Sequence, residues 1–400
     1  MRDPTPGAVE TKNILPLGLL AAAGFLSVAG ARAVDPLLSL MARDFATSVP
    51  AMSAMIAAFT LAYGLNQLLL GPLGDRWGKL HVLLGGLVAY AVFTTACAWA
   101  GSLASLILLR ACAGAASAGL VPVCLAYIGD AVPYDRRPIT LSRFATGIVM
   151  AQILAGPLGG AVGQVSGWRG VFVLLGAGGF ALAAVLSLRL RRLPDRRGRR
   201  APALATWRKL SSRPDARLLL GATLIEGALT GGVVPFLGPY LHVRFALPYA
   251  TVGLVLACFG LGTFTYTRLA RFILPRADEA QLVLAGGLLI AATLAAVMTS
   301  GAWVAFIPAQ AAIGFGYIMM HTVLQSRATE LLPEARATAV SLFVFALFVG
   351  QALGALVFGA SVAAWGYRLA FWGGAVGLGL LGCGLWTMMR SYPATAAQTA

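Results

Sequence analysis

The chain has 400 residues, of which 59% are hydrophobic and only 11% are charged. Soluble domains carry about 25% charged residues, so this composition excludes a soluble multi-domain protein and indicates a polytopic membrane protein. The formal net charge is +16, but eleven of the 30 Lys and Arg residues fall between Arg189 and Arg217, in one loop. A basic loop beside a membrane span indicates contact with anionic lipid rather than with nucleic acid.

A membrane-spanning helix needs about 20 mostly apolar residues. The sequence predicts twelve such spans, near residues 14–40, 50–71, 80–100, 103–127, 140–164, 170–190, 218–240, 249–268, 279–299, 302–326, 337–360 and 369–389. We therefore predict an all-α membrane protein with twelve transmembrane helices in two pseudo-symmetric six-helix bundles. The bundles are residues 1–190 and 218–400, joined by a basic cytoplasmic linker, 191–217.

The distribution of Lys and Arg predicts the orientation of the chain. With the N-terminus inside, 24 of these residues lie in inner loops and tails and five on the outer side, while Arg110 lies within a span. We expect both termini to be cytoplasmic in a bacterial inner membrane.

The two predicted bundles repeat each other in sequence. Acid, proline and arginine recur at the same spacing in Asp130, Pro133 and Arg136 and in Glu330, Pro333 and Arg336. Two further echoes pair Gln152 and Gly156 with Gln351 and Gly354, and Trp168, Arg169 and Phe172 with Trp365, Arg368 and Phe371. A duplicated architecture places the substrate site near the midplane, between the halves.

A dense group of glycine and charge, residues 71–79, separates the second and third spans and predicts a tight loop at a membrane surface. Its Gly71, Leu73, Asp75, Arg76, Gly78 and Lys79 fit the pattern G-x-L-x-D-R-x-G-R/K. This pattern resembles the corresponding loop of major facilitator superfamily transporters, which implies that the loop is a conformational latch. Arg76 and Lys79 are expected to pair with acids of the other half, and Asp75 to face the start of span eleven. We add Asp130, Arg136, Glu330 and Arg336 to this latch.

Two further stretches resemble motifs of the same family. In span four, Arg110 is followed four residues later by Gly114, as in proton-coupled members; the alternative is an arginine that caps carbonyls near the outer end of its own helix. In span five, a hinge at Gly156, Pro157, Gly159 and Gly160 resembles the G-x-x-x-G-P-x-x-G-G signature of drug/proton antiporters, with Gln152 in place of the first glycine. The resemblance favours export, whereas the residues alone indicate close helix packing.

Intramembrane acids are costly and are candidates for proton or substrate sites. Only Asp35 and Glu226 fall inside predicted spans, Asp35 with Arg32 one turn before it. Asp35 is therefore either a local ion pair or a functional acid. His321 is the only histidine within a span, and it is either a proton relay, since imidazole titrates near neutral pH, or a hydrogen-bonded packing residue.

Neutral polar and aromatic side chains inside the spans suggest a cavity for an amphipathic or neutral organic substrate. The candidates are Arg32, Tyr63, Asn66, Gln67, Gln152, Phe236, Tyr240, Tyr317, Gln325 and Gln351. For each aromatic residue, the alternative is packing in the core or against lipid.

The sequence contains no nucleotide-binding loop, nucleophile–base constellation or metal-ligand cluster, and its five cysteines lie in apolar runs. We therefore expect no cofactor, no metal and no enzymatic activity. The predicted function is a monomeric, proton-coupled exporter of small organic molecules. The alternative is an importer or uniporter of a sugar, amino acid or other small nutrient on the same fold.

Overall fold

The computed structural model describes residues 15–190, 210, 212–332 and 336–391, and it describes their side chains except at 70–76, 134 and 337. Within these residues, ten helices are long and apolar enough to cross a membrane. Two of them, Arg137–Leu190 and Thr338–Ser391, are 54 residues long. A straight helix of that length would extend about 80 Å, far beyond a hydrocarbon core about 30 Å thick.

One glycine divides each of these long helices into two spans. Gly167 has φ 73° and Gly366 has φ 77°, and both residues have extended ψ values that end a helix. Only glycine adopts this left-handed region at low cost. The ten helices therefore supply twelve spans, and the predicted fold class is confirmed.

The first six spans have the following bounds. Span 1 comprises Leu17–Arg32, a 3₁₀ turn at Asp35–Leu37 and Leu38–Asp44; span 2 comprises a 3₁₀ turn at Pro50–Met52 and Ser53–Trp77; span 3 is Lys79–Cys97; span 4 comprises Leu103–Ser117 and Leu120–Ala131; and spans 5 and 6 share Arg137–Leu190, after a 3₁₀ turn at Tyr134–Arg136.

The last six spans follow the same plan. Span 7 is Pro214–Phe245, span 8 is Tyr249–Ile273, span 9 is Glu279–Thr299, span 10 comprises a 3₁₀ turn at Trp303–Ala305 and Phe306–Glu330, and spans 11 and 12 share Arg336–Ser391.

Successive spans run in opposite directions, so the bundle has two faces. We call the face that carries the starts of spans 1, 3, 5, 7, 9 and 11 the basic face, because it holds most of the Lys and Arg residues that the sequence places inside. The other is the opposite face. Helix starts are fixed locally: Ser102 caps span 4 and Asp278 caps span 9, each through a capping box with the residue three positions later.

Each half has its own hydrophobic core. One buried cluster contains residues between Leu15 and Leu186 together with Ala355, and the other contains residues between Leu210 and Met389. Because the apolar side chains divide in this way, each half packs mainly against itself.

The internal repeat is visible in the packing. Gly114 of span 4 lies against the main chain of Phe59, and Gly314 of span 10 lies against the main chain of Phe259, 200 residues later in both partners. The predicted echo of Trp168 in Trp365 is wrong. Trp168 is buried and follows the Gly167 turn, whereas Trp365 is 67% exposed and precedes the Gly366 turn.

The halves touch through main-chain contacts between the midplane and the opposite face. Gly156 of span 5 packs on Gly253 of span 8, and Gly238 of span 7 packs on the Asp35 turn of span 1. Near the opposite face, Gly359 of span 11 meets the start of span 2. Glycines allow this close approach because no side chain separates the two backbones.

Candidate functional site

A cavity of about 210 Å³ lies between the two halves. Its walls come from spans 1, 2, 4 and 5 of the N-terminal half and from spans 7, 8, 10 and 11 of the C-terminal half. The lining is largely apolar, and its charged members are Arg32, Asp35 and Arg110. A concave site with an apolar wall and few polar groups is the usual form of a small-molecule site.

Asp35 lies at the end of the cavity nearer the opposite face, in the 3₁₀ turn that interrupts span 1. Pro36 follows it, which favours a break because proline removes a backbone donor. The carboxylate is buried, and its Oδ2 lies 3.6 Å from Nη1 of Arg32. The sequence-predicted pair of Arg32 and Asp35 is therefore present and forms part of the cavity wall.

Arg110 is fully buried and holds span 4 to span 1. Its Nη1 donates a hydrogen bond of 2.8 Å to the carbonyl of Gly30, and its guanidinium lies 4.1 Å from the centre of the Phe59 ring. The alternative of an arginine that caps the end of its own helix is therefore not the arrangement observed. The carbonyl that it binds belongs to a neighbouring span, so a charge that would be costly in lipid is held inside the bundle, although its Nε has no partner among the described residues.

Three glutamine side chains bring amide groups to the cavity from both halves: Gln152, Gln310 and Gln351. Gln310 is 0% exposed, and neither its Oε1 nor its Nε2 has a hydrogen-bond partner among the described residues. Oε1 of Gln152 is likewise buried without a partner in that part of the chain. Buried amides are costly unless something binds them, so these groups provide unsatisfied donors and acceptors at the site.

The second intramembrane acid, Glu226, has a partner that the sequence does not reveal. Its Oε2 lies 3.2 Å from Nδ1 of His321, which is 95 residues away, and its side chain is 0% exposed. Oε1 has no partner among the described residues.

The Glu226–His321 pair lies one helical turn beyond the cavity, toward the basic face. Thr230, one turn after Glu226, lines the cavity, and so does Tyr317, one turn before His321. The Tyr317 ring stacks on His321 with centroids 5.2 Å apart. The two acids therefore lie at opposite ends of the cavity, with Asp35 in its wall and Glu226 behind Tyr317.

Of the predicted cavity residues, Arg32, Tyr63, Gln152, Tyr317 and Gln351 line the cavity. The other five lie elsewhere. Phe236 packs in the C-terminal core against Phe358, and Tyr240 packs in an aromatic cluster with Phe306 and Phe371. Both rings therefore pack in the C-terminal core, and their predicted position in the cavity wall is wrong.

The remaining three predicted cavity residues are satisfied by other groups. Asn66 donates to the carbonyl of Ala115, at 2.6 Å, and Gln67 donates to the carbonyl of Ala118, at 3.0 Å, so both amides join span 2 to span 4. Gln325 is exposed beyond the cavity. Their assignment to the cavity is therefore also wrong.

The loop predicted at residues 71–79 is helical as far as Trp77, and the chain turns only at Gly78, where φ is 87°. The side chains of Asp75 and Arg76 lie outside the described residues, as do the surroundings of Gly71, and so the predicted contact of Asp75 with span 11 lies outside them too. Lys79 pairs with Asp130 of the same half, contrary to the expected pairing across the halves.

The other predicted latch residues also pair locally. Arg136 lies 3.8 Å from Asp135, and Arg336 lies 3.4 Å from Glu330, each within its own half. In this arrangement, the described ion pairs at the basic face stabilise each half and do not join the halves.

The predicted span-five hinge lies at the joint between the halves. Pro157 lies within the helix, and Gly156 and Gly160 pack against span 8, on Gly253 and Tyr249. Gly159 packs against span 1.

Comparisons with known proteins identify the family. Residues 20–355 match the family model described as Major Facilitator Superfamily, so the chain belongs to that superfamily of membrane transporters. A chloramphenicol resistance protein of Streptomyces lividans is 28% identical over 353 residues, which is 86% of this chain and 88% of that protein. The MFS-type transporter YceJ of Bacillus subtilis is 26% identical over 335 residues, 82% of this chain and 84% of that one.

Solved structures agree on the fold. A bacterial homologue of the human lysosomal transporter Spinster, in an inward-facing and unoccupied conformation, superposes with a TM-score of 0.81 at 18% identity, over 94% of this chain and 96% of that chain. The D-xylose–proton symporter gives a TM-score of 0.75 at 15% identity, over 92% and 96%. This chain is therefore a multi-pass membrane transporter.

From the sequence alone, Gln310 was not assigned to the cavity and Glu226 was not paired with His321. The internal repeat was the available signal for Gln310, because it lies 200 residues after Arg110, as Gly314 does after Gly114. No sequence signal joins Glu226 to His321, since the two spans meet only in the folded bundle.

Proposed function

We propose that this protein couples inward proton movement to the export of small amphipathic organic molecules across a bacterial inner membrane, by alternating access. The observation that carries the proposal is the pair of buried acids at the two ends of one cavity, Asp35 toward the opposite face and Glu226 toward the basic face. Intramembrane acids of this kind mark proton pathways in transporters.

The geometry supports a division of the proton path into two steps. Asp35 lies in the cavity wall beside Arg32, where a proton that arrives from the opposite face reaches it first. Glu226 lies behind Tyr317, with His321 as the neighbour that shares its proton. Protonation neutralises a carboxylate whose second oxygen has no partner among the described residues, and this favours the packed arrangement around it.

The direction of transport rests on two observations. The orientation predicted from Lys and Arg makes the basic face cytoplasmic, so the low-pH side of an energised inner membrane is the opposite face, where Asp35 lies. The relative from Streptomyces lividans is a resistance protein, and resistance to a compound is achieved by a transporter only through export.

The proposal predicts that transport responds to ΔpH and requires both acids. Everted membrane vesicles that contain the protein are energised, and accumulation of labelled chloramphenicol is measured with and without nigericin. We expect nigericin to abolish accumulation, and Glu226→Gln or Asp35→Asn to reduce it by about tenfold or more. His321→Phe should have an effect similar to that of Glu226→Gln, because phenylalanine cannot hydrogen-bond to the Glu226 carboxyl group.

Asp135→Asn provides the matched control, since it removes an exposed acid at the basic face, outside the cavity. It should leave accumulation within about twofold of the wild type. Accumulation that persists without ΔpH, or in the double variant of Glu226 and Asp35, contradicts proton coupling. Net movement of the probe out of the vesicles under the same gradient contradicts the direction.

A further inference from the structure

The charged groups of the cavity are already engaged with one another or with the main chain. Asp35 faces Arg32, and Arg110 is held by the Gly30 carbonyl and the Phe59 ring. Two guanidinium groups and one carboxylate leave the lining with a net positive charge when Asp35 is ionised. An organic cation that enters the cavity therefore meets repulsion, and the carboxylate that would attract it is the one that Arg32 already faces.

The second acid gives a cation no better partner. Glu226 is 0% exposed, faces His321 and lies one helical turn from Thr230, which lines the cavity. It does not form part of the lining.

Three lining side chains keep buried polar atoms without partners among the described residues: Nε of Arg110 and the amides of Gln310 and Gln152. Gln310 presents a buried amide whose donor and acceptor both lack partners among the described residues, and Gln152 presents a buried acceptor from the other half. An uncharged group with its own donor and acceptor, such as an amide or a hydroxyl, satisfies both residues. A site built to form such hydrogen bonds discriminates strongly against analogues that cannot form them.

The rest of the lining suits an aromatic or apolar body. Phe59, Phe259 and Phe348 border the cavity, and Tyr63 stacks on Phe348 with ring centroids 4.2 Å apart. Aromatic walls of this kind bind flat apolar groups by stacking and by excluding water.

We infer that the cavity selects uncharged amphipathic molecules, with an aromatic body and an amide or hydroxyl group bound by Gln310 and Gln152, and rejects organic cations. This inference rests on the proposed transport function and names the substrate class of the same site. It assigns to Gln310 the role of determining that specificity.

The test uses purified full-length protein and three probes that share one aromatic body: 1-naphthamide, 1-naphthylmethylammonium and 1-naphthoate. Binding is measured by isothermal titration calorimetry at constant pH and ionic strength. The wild type should bind the amide at least about tenfold more tightly than the ammonium, which the net positive lining repels. It should also bind the amide more tightly than the carboxylate, which cannot donate a hydrogen bond to Oε1 of Gln310 or Gln152. Equal or tighter binding of the ammonium or of the carboxylate overturns the inference, and so does binding of none of the three probes.

Substitutions of Gln310 assign the selectivity to that residue. Gln310→Leu should weaken binding of the amide by about tenfold, and Gln310→Glu should strengthen binding of the ammonium by about tenfold or more, because it adds a carboxylate to the lining. Gln325→Glu is the matched control, since it adds the same charge on the same span at an exposed position outside the cavity, and it should change neither affinity.

Gln152→Leu removes the amide side chain that the N-terminal half brings to the cavity, and it should also weaken binding of 1-naphthamide. It provides the test if Gln310→Glu fails to fold. A wild-type preference for the amide that survives in both leucine variants contradicts the assignment to these residues.

The outcomes separate this inference from the proposed transport function. If the ammonium probe binds well and ΔpH drives its accumulation in vesicles, the substrate class is wrong and proton-coupled export stands. If the amide binds selectively but moves without ΔpH, the substrate class stands and proton coupling is wrong.

Discussion

A single buried arginine illustrates how this protein accommodates charge within its spans. Arg110 is 1% exposed, and its guanidinium plane both stacks on Phe59 and reaches the Gly30 carbonyl. Gly30 itself lies against Tyr90, since a Cβ atom added there would lie 2.5 Å from the Tyr90 hydroxyl oxygen. A planar, delocalised cation meets these requirements and an ammonium does not.

Arg110→Lys should therefore destabilise the protein although the charge is kept. We expect a loss of about 1–3 kcal/mol in the free energy of unfolding, the typical result of leaving a buried group unsatisfied. Thermal unfolding of the purified protein in detergent measures this loss as a lower Tm. Arg143→Lys is the control at an exposed position of span 5, and an equal loss in both variants contradicts the proposed stacking role.

Individual residues also show where sequence reasoning ends. Asp35 was singled out as a proton-coupling candidate because a carboxylate within an apolar run is conspicuous whatever its neighbours, and the structure places it in the cavity wall. Phe236 and Tyr240 were misplaced because a span that is apolar all round does not reveal which face meets the cavity. Side-chain direction in such a span depends on packing with partners far away in sequence.

At the scale of elements, the contact between the broken part of span 1 and span 7 lies between the cavity and the opposite face. A Cβ atom at Gly238 would lie 2.7 Å from the carbonyl oxygen of Asp35 and 3.2 Å from Cα of Pro36. Both neighbours are main chain, so neither can move aside as a side chain would. The turn that carries the cavity acid thus depends on a glycine of the other half.

Gly238→Ala should prevent this contact and shift the protein toward states that are open at the opposite face. In a cysteine-free background with Ser53→Cys as a reporter, we expect a membrane-impermeant maleimide to label the reporter about tenfold faster from that side. Ser53 suits this purpose because it is buried where span 2 meets Gly359.

Gly221→Ala is the matched control, since it lies on the same span with no atom within 4 Å of its added Cβ. It should not change the labelling rate, and it should stabilise the helix slightly, by up to about 1 kcal/mol. Unchanged labelling in Gly238→Ala would show that the opposite face does not depend on this contact.

The elements themselves were largely predictable. All twelve predicted spans correspond to helical segments, because runs of about 20 apolar residues have few alternatives in a protein of this composition. The exact ends were less accurate: span 7 begins at Pro214, four residues before the predicted start at 218. Helix ends depend on caps and loop contacts, and an amphipathic first turn is not distinguished by hydropathy from the loop before it.

At the scale of the whole molecule, the orientation predicted from Lys and Arg is open to a direct experiment. The basic face should be cytoplasmic. Single cysteines in a cysteine-free background are placed at Gly101, in the exposed turn between spans 3 and 4, and at Asp135, exposed at the basic face. In intact cells, an impermeant thiol reagent should label the first at least about tenfold more than the second.

Disruption of the membrane should remove this difference, because both positions are exposed in the folded protein. Preferential labelling at position 135 in intact cells reverses the orientation, and with it the assignment of Asp35 to the side from which protons enter.

The main-chain joint between the halves has a consequence for how transporters of this kind diversify. Several contacts that join the halves are made by backbone atoms beside glycines, whereas the cavity is lined largely by side chains of the same spans, with Gly156 belonging to both sets. Substitutions such as those at Gln310 can therefore alter which molecule is carried without altering these glycine contacts between the halves. Substitutions in the cavity can therefore change the transported molecule while the motion of the halves is preserved. Substitutions of the glycines between the halves should be tolerated least.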